Sequence, residues 1–320
     1  MGAFDAQIGI AAETTVGTPV TVTRFYEFLS ESMKLNIDRM RSAGLGRGRV
    51  QRSHQVAAGR KIAAGAVNME TWNKSLGLWL KHSMGTVVTT QPAVGTDPTV
   101  YDHTFTPGDL SALALTYQAG RPDEAGVVRP FTYDGCVVTG WDLACALGEI
   151  GKFNVALNGE DETTATALAA KSYPTGLELL TFVGSSLSIG GSAVDVANFN
   201  VAGDNVLKVD RGKLGQATRT KAMEGAVRPY TGTADLSFAG FTAYNRFVNR
   251  TEAEIVALFE GSTISNSYKH QLKITANVVF NGETPTIGGP DEIRQAMPFE
   301  VVDPGAGGIS VLYRTTDSQP

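Results

Sequence analysis

The chain has 320 residues, of which 42% are hydrophobic and 18% are charged, and its formal net charge is -5. This composition is typical of a folded protein with one large or two ordinary domains, and it excludes disorder throughout the chain. Seven cations and no acid lie between residues 39 and 61, so removing their +7 from -5 leaves -12 on the remainder. The acidic remainder argues against a nucleic-acid binder whose whole face is basic.

The N-terminal stretch MGAFDAQIGIAAETTVG lacks the features of a targeting sequence. Asp5 comes early, no basic region precedes an apolar run, and Ala6 stands where a myristoylation signal has Ser or Thr. No window of the chain reaches the roughly 18 apolar residues of a transmembrane helix. We therefore expect no signal peptide, lipid anchor or membrane segment.

The segment from residue 39 to residue 61 is basic and rich in glycine. Its glycines Gly44, Gly46 and Gly48 would let the backbone bend, and its cations are Arg39, Arg41, Arg47, Arg49, Arg52, Arg60 and Lys61. Binding to phosphates would gain affinity by counterion release, but no Phe, Tyr or Trp is present for base stacking. The alternative is a long loop between two strands that contacts a partner subunit, because loops beyond about 12 to 15 residues are usually functional or disordered.

Two segments have apolar residues at helical spacing. In METWNKSLGLWLKHSMG, Trp72, Leu76, Trp79 and Leu80 share one face, and Gly85 stands at the expected C-cap. The second segment is TAYNRFVNRTEAEIVALFEG, in which Thr251 and Glu254 have capping-box spacing. Its apolar face comprises Tyr244, Phe247, Val248, Ile255, Leu258 and Phe259, and Gly261 closes it.

The other apolar runs are short, alternating and bounded by Gly, Pro, Asp or Asn, so they predict strands. CVVTGWDLACAL and GKFNVALNG read as a hairpin around GEIG, and QLKITANVVFNG alternates from Leu272 to Phe280. Cys136 and Cys145 are expected to be free thiols unless two strands fold back on each other.

An internal repeat is indicated about 170 residues apart. LNIDRMR at residues 35–41 matches LKVDRGK at residues 207–213, and each is followed by a basic loop, a strand that opens on glycine, and a helix. The second loop, residues 211–228, carries Arg211, Lys213, Arg219, Lys221 and Arg228 against Glu224. The polar segment at residues 159–176 is the expected boundary.

Motifs for catalysis, metals and cofactors are missing. The glycines of GLGRG do not form G-x-G-x-x-G, no P-loop is present, and VGSSLSIGG is not a nucleophile elbow. The histidines are scattered singly, and the acidic run at residues 160–162 is read as solvated surface. We expect no catalytic residue, no metal site and no cofactor.

Several stretches resemble the tube proteins of long-tailed bacteriophages. GIAAETTVGTPVTVTRFYEFLSESMKLNIDRMRS resembles the family's opening, GRKIAAGAVNMETW its strand into a short helix, and FTYDGCVVTGWDLACALGEIGKFNVALNG its central hairpin. TPTIGGPDEIRQAMPFEVVDPGAGG resembles its final segment. The resemblance covers nearly the whole chain, and the order of these stretches carries it.

The resemblance implies a mainly β fold of tandem β-sandwich or split-barrel domains, each with one short packed helix and a long inter-ring loop. We place the first copy at 1–172 and the second at 173–320. Two copies per chain imply a trimeric, pseudo-six-fold ring, and a partial repeat implies a hexameric one. The expected ring-to-ring contacts are Arg47, Arg49, Arg52 and Arg60, with Arg219 and Lys221 in the second copy, and each could instead be solvated.

The expected function is structural: a non-enzymatic tail tube subunit of the virion, made in the host cytoplasm, whose lumen conducts viral DNA without sequence-specific binding. The resemblance also implies the tape measure, tail terminator and tail tip proteins as partners. An acidic lumen wall is expected because it would repel phosphate. The alternatives are a nucleic-acid-binding protein that uses residues 39–61, and another β-rich virion component such as a decoration protein or adhesin.

Overall fold

The computed structural model describes residues 2–45, 49–282, 284–287, 289–290, 292–305 and 307–320. The fold is mainly β, as the alternating apolar runs predict. The strands before residue 165 are β1 Gln7–Ala12, β2 Arg24–Tyr26, β3 Ser30–Glu31, β4 Lys34–Arg41, β5 Val56–Glu70, β6 Gly85–Thr90, β7 Tyr101–Pro107, β8 Leu115–Pro122, β9 Val128–Ala146, β10 Lys152–Gly159 and β11 Glu162–Thr163.

The remaining strands follow residue 184 and pair antiparallel throughout. They are β12 Ser185–Ile189, β13 Ser192–Val194, β14 Val196–Asp204, β15 Leu207–Lys208, β16 Met223–Glu224, β17 Tyr230–Ser237, β18 Ala253–Ser265, β19 Tyr268–Phe280, β20 Arg294–Val301 and β21 Ile309–Thr315. Within the described ranges the α-helices are α1 Gly77–Met84 and α2 Phe241–Val248.

Nineteen of the strands form three connected sheets, which we number, and β15 and β16 form a separate two-stranded sheet. Sheet 1 has the order β2-β1-β8-β9-β11. Sheet 2 has the order β4-β5-β10-β9-β14-β17-β20, with β3 beside β5. Sheet 3 has the order β6-β7-β21-β19-β18-β12-β13. The long strand β9 belongs to both sheet 1 and sheet 2, so these two sheets are continuous.

The long strand β9 passes from sheet 1 to sheet 2 at Gly135, which has a φ of 55°. A Cβ at this position would lie 2.6 Å from the Glu160 side chain. Glycine is therefore required both by the left-handed backbone and by the close approach.

The main hydrophobic core contains buried side chains from all three sheets, in agreement with a β-sandwich. Strand β19 supplies Leu272, Ile274, Ala276, Val278 and Phe280, each at most 2% exposed, as its alternation predicts. The predicted hairpin of β9 and β10 is also present, with Phe153 opposite Leu143 and Val155 opposite Trp141. Cys136 and Cys145 are buried free thiols on the single strand β9.

Helix α1 packs against the core, and its predicted face is confirmed from Leu76 onward: Leu76, Trp79 and Leu80 are buried, and Trp79 packs 5.7 Å from Tyr26 between ring centroids. The placement of Trp72 on this face is wrong, because Trp72 precedes the helix and forms a β-bridge with Leu179. Gly85 closes the helix with a φ of 110°, and its N–H bonds to the Lys81 carbonyl. The C-terminus covers the helix start, since a Cβ at Gly77 would meet Pro320 at 2.6 Å.

The prediction of a second helix is wrong beyond Val248, where α2 ends. Helix α2 ends in a Schellman pattern, in which the Thr251 N–H bonds to the Arg246 carbonyl and Arg250 has a φ of 49°. Residues 253–265 then form strand β18, so Thr251 and Glu254 are not a capping box. Ala253, Ile255, Ala257 and Phe259 also alternate, and β12 and β19 pair with β18 on both sides. The segment fits both helical and alternating spacing of apolar residues, and its pairing with β12 and β19 selects the strand.

The proposed division at residue 172 is crossed by several contacts. Strand β14 pairs with β9 over seven residue pairs, and β21 pairs with β7. The order strand, helix, two strands occurs twice, as β5-α1-β6-β7 and as β17-α2-β18-β19. The division of the chain into two tandem copies stays a prediction. No helix among the described residues has the length and apolarity needed to cross a membrane.

Candidate assembly surfaces

The outer parts of the basic segment, residues 39–41 and 56–61, form the paired strands of a β-hairpin, which corrects the expectation of a loop from residue 39 to residue 61. Arg39 pairs with Ala58, Met40 with Ala57 and Arg41 with Val56, so the connecting loop spans only residues 42–55. A bulge between Ile37 and Arg39 breaks the register below these pairs. We call residues 39–58 the basic hairpin.

The side chains of the basic hairpin are largely exposed. Arg39, Arg41, Arg49 and Arg52 are all exposed. Gly44 bonds through its N–H to Ser42 Oγ at 3.1 Å and accepts a bond from Gln55 Nε2 at 3.1 Å. Arg47, Gly46 and Gly48 lie outside the described residues, so their expected roles stay predictions.

The second basic segment packs against the base of the basic hairpin. The Lys61 N–H bonds to the Ala217 carbonyl at 2.9 Å, just beyond the point where β10 ends at Gly159. The Arg60 guanidinium lies near Gly212 and is half-buried, and no hydrogen-bond acceptor is within reach of its Nη2 among the described residues. Lys221 is exposed, and its carbonyl accepts a bond from Arg211. The two basic segments therefore meet in one chain instead of occupying separate positions.

Arg219 holds the second segment in place and is not a surface residue. Its side chain is 3% exposed, and it bonds to Asn158 Oδ1 at 2.9 Å, Glu160 Oε1 at 3.2 Å and the Gly135 carbonyl. The expectation that Arg219 contacts the next ring stays a prediction, while within this chain its donors bond to β9 and β10. Its role is to fasten residues 209–222 to β9 and β10.

The acidic run at residues 160–162 is the partner of these cations, not a solvated surface. Asp161 forms an ion pair with Lys61 at 2.9 Å, and Glu160 pairs with Arg219. Burial raises the pKa of Glu160 and of the neighbouring Asp134, and burial lowers the pKa of Arg219. Sequence reasoning missed this cluster because its ion pairs join residues 59 and 100 positions apart and no local pattern links them.

One face of sheet 2 remains open, and it is lined by small and polar side chains in rows across the strands. We call it the polar face. Its four rows are Ser30-Asn68-Asn154-Asp142-Ala202-Thr231-Glu300, Glu70-Lys152-Ala144-Asn200-Thr233-Pro298, Ala146-Asn198-Asp235-Ala296 and Ala66-Ala156-Gly140-Asp204. The rows contain no aromatic residue and no large aliphatic one.

The polar face is acidic. Its four rows contain five carboxylates, Glu70, Asp142, Asp204, Asp235 and Glu300, and one cation, Lys152. The exposed Lys34 and Arg294 continue the same face on β4 and β20, and Arg294 forms an ion pair with Asp235 at 3.5 Å. Lys152 bonds to Glu149 at 2.7 Å, and this hydrogen bond raises the pKa of Lys152. Asn154 Nδ2 donates to Asp142 at 2.8 Å. Such a face repels a polyanion and gives it no unpaired cation within these rows.

A family model described as phage tail tube protein matches residues 3–301 of the chain. The match includes the basic hairpin, both helices and the seven strands that carry the rows of the polar face. Among curated proteins, the chain has no significant match.

Proposed function

Because the chain belongs to the phage tail tube protein family, we propose that it polymerises into stacked rings whose lumen conducts viral DNA into the host cell. The observation that carries this proposal is sheet 2, which runs unbroken through both halves of the chain. Its core face is apolar, its polar face is acidic, and its strand β5 continues into the basic hairpin. We propose no catalytic role.

Ring formation would join the two edges of sheet 2. Strand β4 pairs only with β5, and residues 294–297 of β20 pair only with β17, in the part of the chain that the structure describes. Joining the β20 edge of one copy to the β4 edge of the next would remove both open edges. Because the two edges differ, each added copy repeats the same contact, and the ring closes when the last copy meets the first.

The proposed stoichiometry is three copies per ring. The part of the chain before the proposed boundary gives sheet 2 strands β4, β5, β10 and β9, with the short β3, and the part after it gives β14, β17 and β20. Three chains would then provide six similar units, the pseudo-six-fold arrangement. A hexameric ring would follow if the repeat is only partial.

The polar face would line the lumen. Small side chains leave room for the duplex, and the carboxylates oppose adhesion of its phosphates. The basic hairpin then points along the tube axis, because it continues β5. At about 3.3 Å per residue, residues 56–62 extend roughly 23 Å beyond the last β5-β10 pair.

Family membership implies a location in the virion tail. The proposal adds synthesis in the host cytoplasm and contacts with tape measure, terminator and tip proteins. Arg47, Arg49, Arg52, Arg60 and Lys221 remain proposed contributors to ring-to-ring contacts, with Gly44, Gly46 and Gly48 allowing the loop to bend.

Negative-stain electron microscopy tests this proposal. The unmodified protein is compared with a variant in which Asn-Gly replaces residues 42–55, because Arg41 and Val56 are paired and a two-residue turn joins such a pair. We expect hollow rings and tubes from the unmodified protein, and rings that do not stack from the variant. Compact monomers at every concentration, with tight salt-sensitive DNA binding, would instead favour the nucleic-acid-binding alternative.

A further inference from the structure

The strand pairs β5-β10 and β17-β20 end in the same way, each just before a helix. Beyond the last residue pair of each, the next residue donates its N–H to the carbonyl of the residue that precedes the partner strand. Thr71 donates to Gly151 at 2.8 Å, and Phe238 donates to Ile293 at 3.0 Å. Helices α1 and α2 then follow, so these are equivalent positions in the fold.

At the first position, an extended segment of the same chain lies between the two residues. Leu180 donates its N–H to the Thr71 carbonyl and accepts a bond from the Gly151 N–H, both at 3.0 Å. The Leu180 side chain is fully buried in the core, and Thr71 is 1% exposed. Residues 178 and 182 are also hydrogen-bonded, to residues 73 and 149. We call Thr71, Gly151 and the segment between them the closed clip.

At the second position, no segment of the described chain takes the place of Leu180. The Phe238 carbonyl and the Ile293 N–H are half-buried and have no hydrogen-bond partner within the described ranges. Ala239 and Gly240 are exposed, and a Cβ added to Gly240 would meet no atom within 4 Å. Half-buried backbone groups of this kind gain free energy when they are paired. We call Phe238, Ile293 and the space between them the open clip.

Apolar side chains surround the open clip. The Phe238 ring packs edge-on against Phe241 at 6.2 Å between centroids, and Phe241 is 69% exposed. A groove of about 370 Å³ adjoins the clip, and its apolar lining comprises Ile189, Ala193, Val194, Leu236, Ala239 and Ala243. Asp195 and Arg246 line the same groove. A large aliphatic side chain would therefore find apolar surface here, as Leu180 does at the closed clip.

We propose that the open clip binds an extended peptide segment of another protein, one that carries a large aliphatic side chain. The closed clip indicates this occupant, because the chain's own Leu180 satisfies the equivalent backbone groups and buries its side chain. One residue of the peptide would donate its N–H to the Phe238 carbonyl and accept a bond from the Ile293 N–H. In such strand addition, backbone hydrogen bonds give affinity and side-chain pockets give specificity.

Peptide binding tests the inference. A fluorescent peptide with the sequence of residues 177–182, LELLTF, is titrated with the protein and followed by fluorescence polarisation. We expect saturable binding, and roughly tenfold weaker binding to the Ile293→Pro variant, which lacks the free N–H. Ile293→Val keeps this N–H and should bind as the unmodified protein does, and equal thermal stability shows that both variants fold. Absence of binding, or binding that is unchanged in Ile293→Pro, would overturn the inference.

A change in the peptide repeats the test without altering the protein. N-methylation of the leucine that corresponds to Leu180 removes the N–H that would bond to the Phe238 carbonyl, so binding should again weaken roughly tenfold. Hydrogen exchange locates the site: bound peptide should slow exchange at Ile293 and leave Gly151 unchanged. Faster exchange at Gly151 would show that the peptide displaces the closed clip's own segment, and protection of Ile293 by self-association alone would assign the open clip to a second copy. Either result would overturn the inference.

Discussion

Arg219 shows how a buried charge joins segments that are distant in sequence. The guanidinium bonds to Asn158 and Glu160 on one side and to the Gly135 carbonyl on the other, where β9 changes sheets. A cation removed from water needs such partners, and deleting it would leave a carboxylate buried without its counter-charge. We therefore regard Arg219 as the residue that fixes the base of the basic hairpin.

Replacing Arg219 tests this role. Arg219→Met should lower the free energy of unfolding by about 3 to 5 kcal/mol, because Glu160 and Asn158 lose their partner. Lys221→Met, two residues away on an exposed side chain, should change it by less than about 0.5 kcal/mol. Urea unfolding of the two variants measures the difference, and equal effects would show that Arg219 is not a structural anchor.

His82 makes the folded state sensitive to acid. Its ring is buried on α1, its Nδ1 lies 3.0 Å from the Leu78 carbonyl, and burial lowers its pKa from 6.5 to about 4. The unfolded chain therefore binds the proton more readily, and the stabilisation is fully present above pH 6.5 and is lost as the pH falls towards 4. Burial also lowers the pKa of His103 and His270, in the same direction.

The pH dependence of unfolding isolates the contribution of His82. Between pH 7 and pH 4 the unmodified protein should lose about 3 kcal/mol more stability than the His82→Asn variant, which cannot take up this proton. Urea titrations across this range provide the measurement. Parallel pH profiles of the two proteins would assign the acid sensitivity to other groups.

At the scale of elements, strand β18 shows that the apolar residues of one segment can match both helical and strand spacing. Ile255, Leu258 and Phe259 have helical spacing, while Ile255, Ala257 and Phe259 alternate. The strand places Ile255 in the core at 1% exposure and turns Leu258 to the opposite, half-exposed face. A helix would have placed these two side chains on the same face.

Alanine substitution distinguishes the two faces of β18. Ile255→Ala should cost about 2 to 5 kcal/mol of folding stability, because it leaves a cavity between β12 and β19. Leu258→Ala should cost much less, about 1 kcal/mol or below. Thermal unfolding of both variants is the check, and similar large losses from both would contradict the strand register.

Local sequence patterns predicted those elements whose structure does not depend on residues distant in sequence. The alternation of β19, the β9-β10 hairpin and the buried face of α1 were predicted because one buried face is enough to define each. The outer parts of the basic segment form strands although their side chains are exposed, so hydrophobic alternation could not reveal them. The Arg219 cluster depends on residues about 60 apart that only the sheet order brings together.

At the scale of the whole molecule, the proposed lumen surface depends on side chains that lie outside the core. Asn154, Asn200 and Thr233 on the polar face are replaceable without disturbing the core, because they point away from it. Together they would form a wall of small neutral and acidic groups, through which a polyanion moves without being bound.

Cations placed on the polar face should therefore slow the passage of DNA. Phage whose tubes carry Asn154→Arg and Asn200→Arg should assemble normally but eject their genome more slowly, with the delay relieved by high salt. Asn154→Gln and Asn200→Gln provide the matched control, with similar size and no charge. Unchanged ejection in the arginine variant would show that this face does not line the DNA path.

The most direct test of the proposed tube is a cryo-electron microscopy reconstruction of tubes assembled from the purified protein. We expect a continuous barrel in which sheet 2 of each copy joins its neighbours through β4 and β20, with Asn154, Asp142 and Asp204 facing the lumen. The basic hairpins would cross from ring to ring. A lumen lined by the basic segments, or a polar face turned to the outside of the tube, would contradict this account.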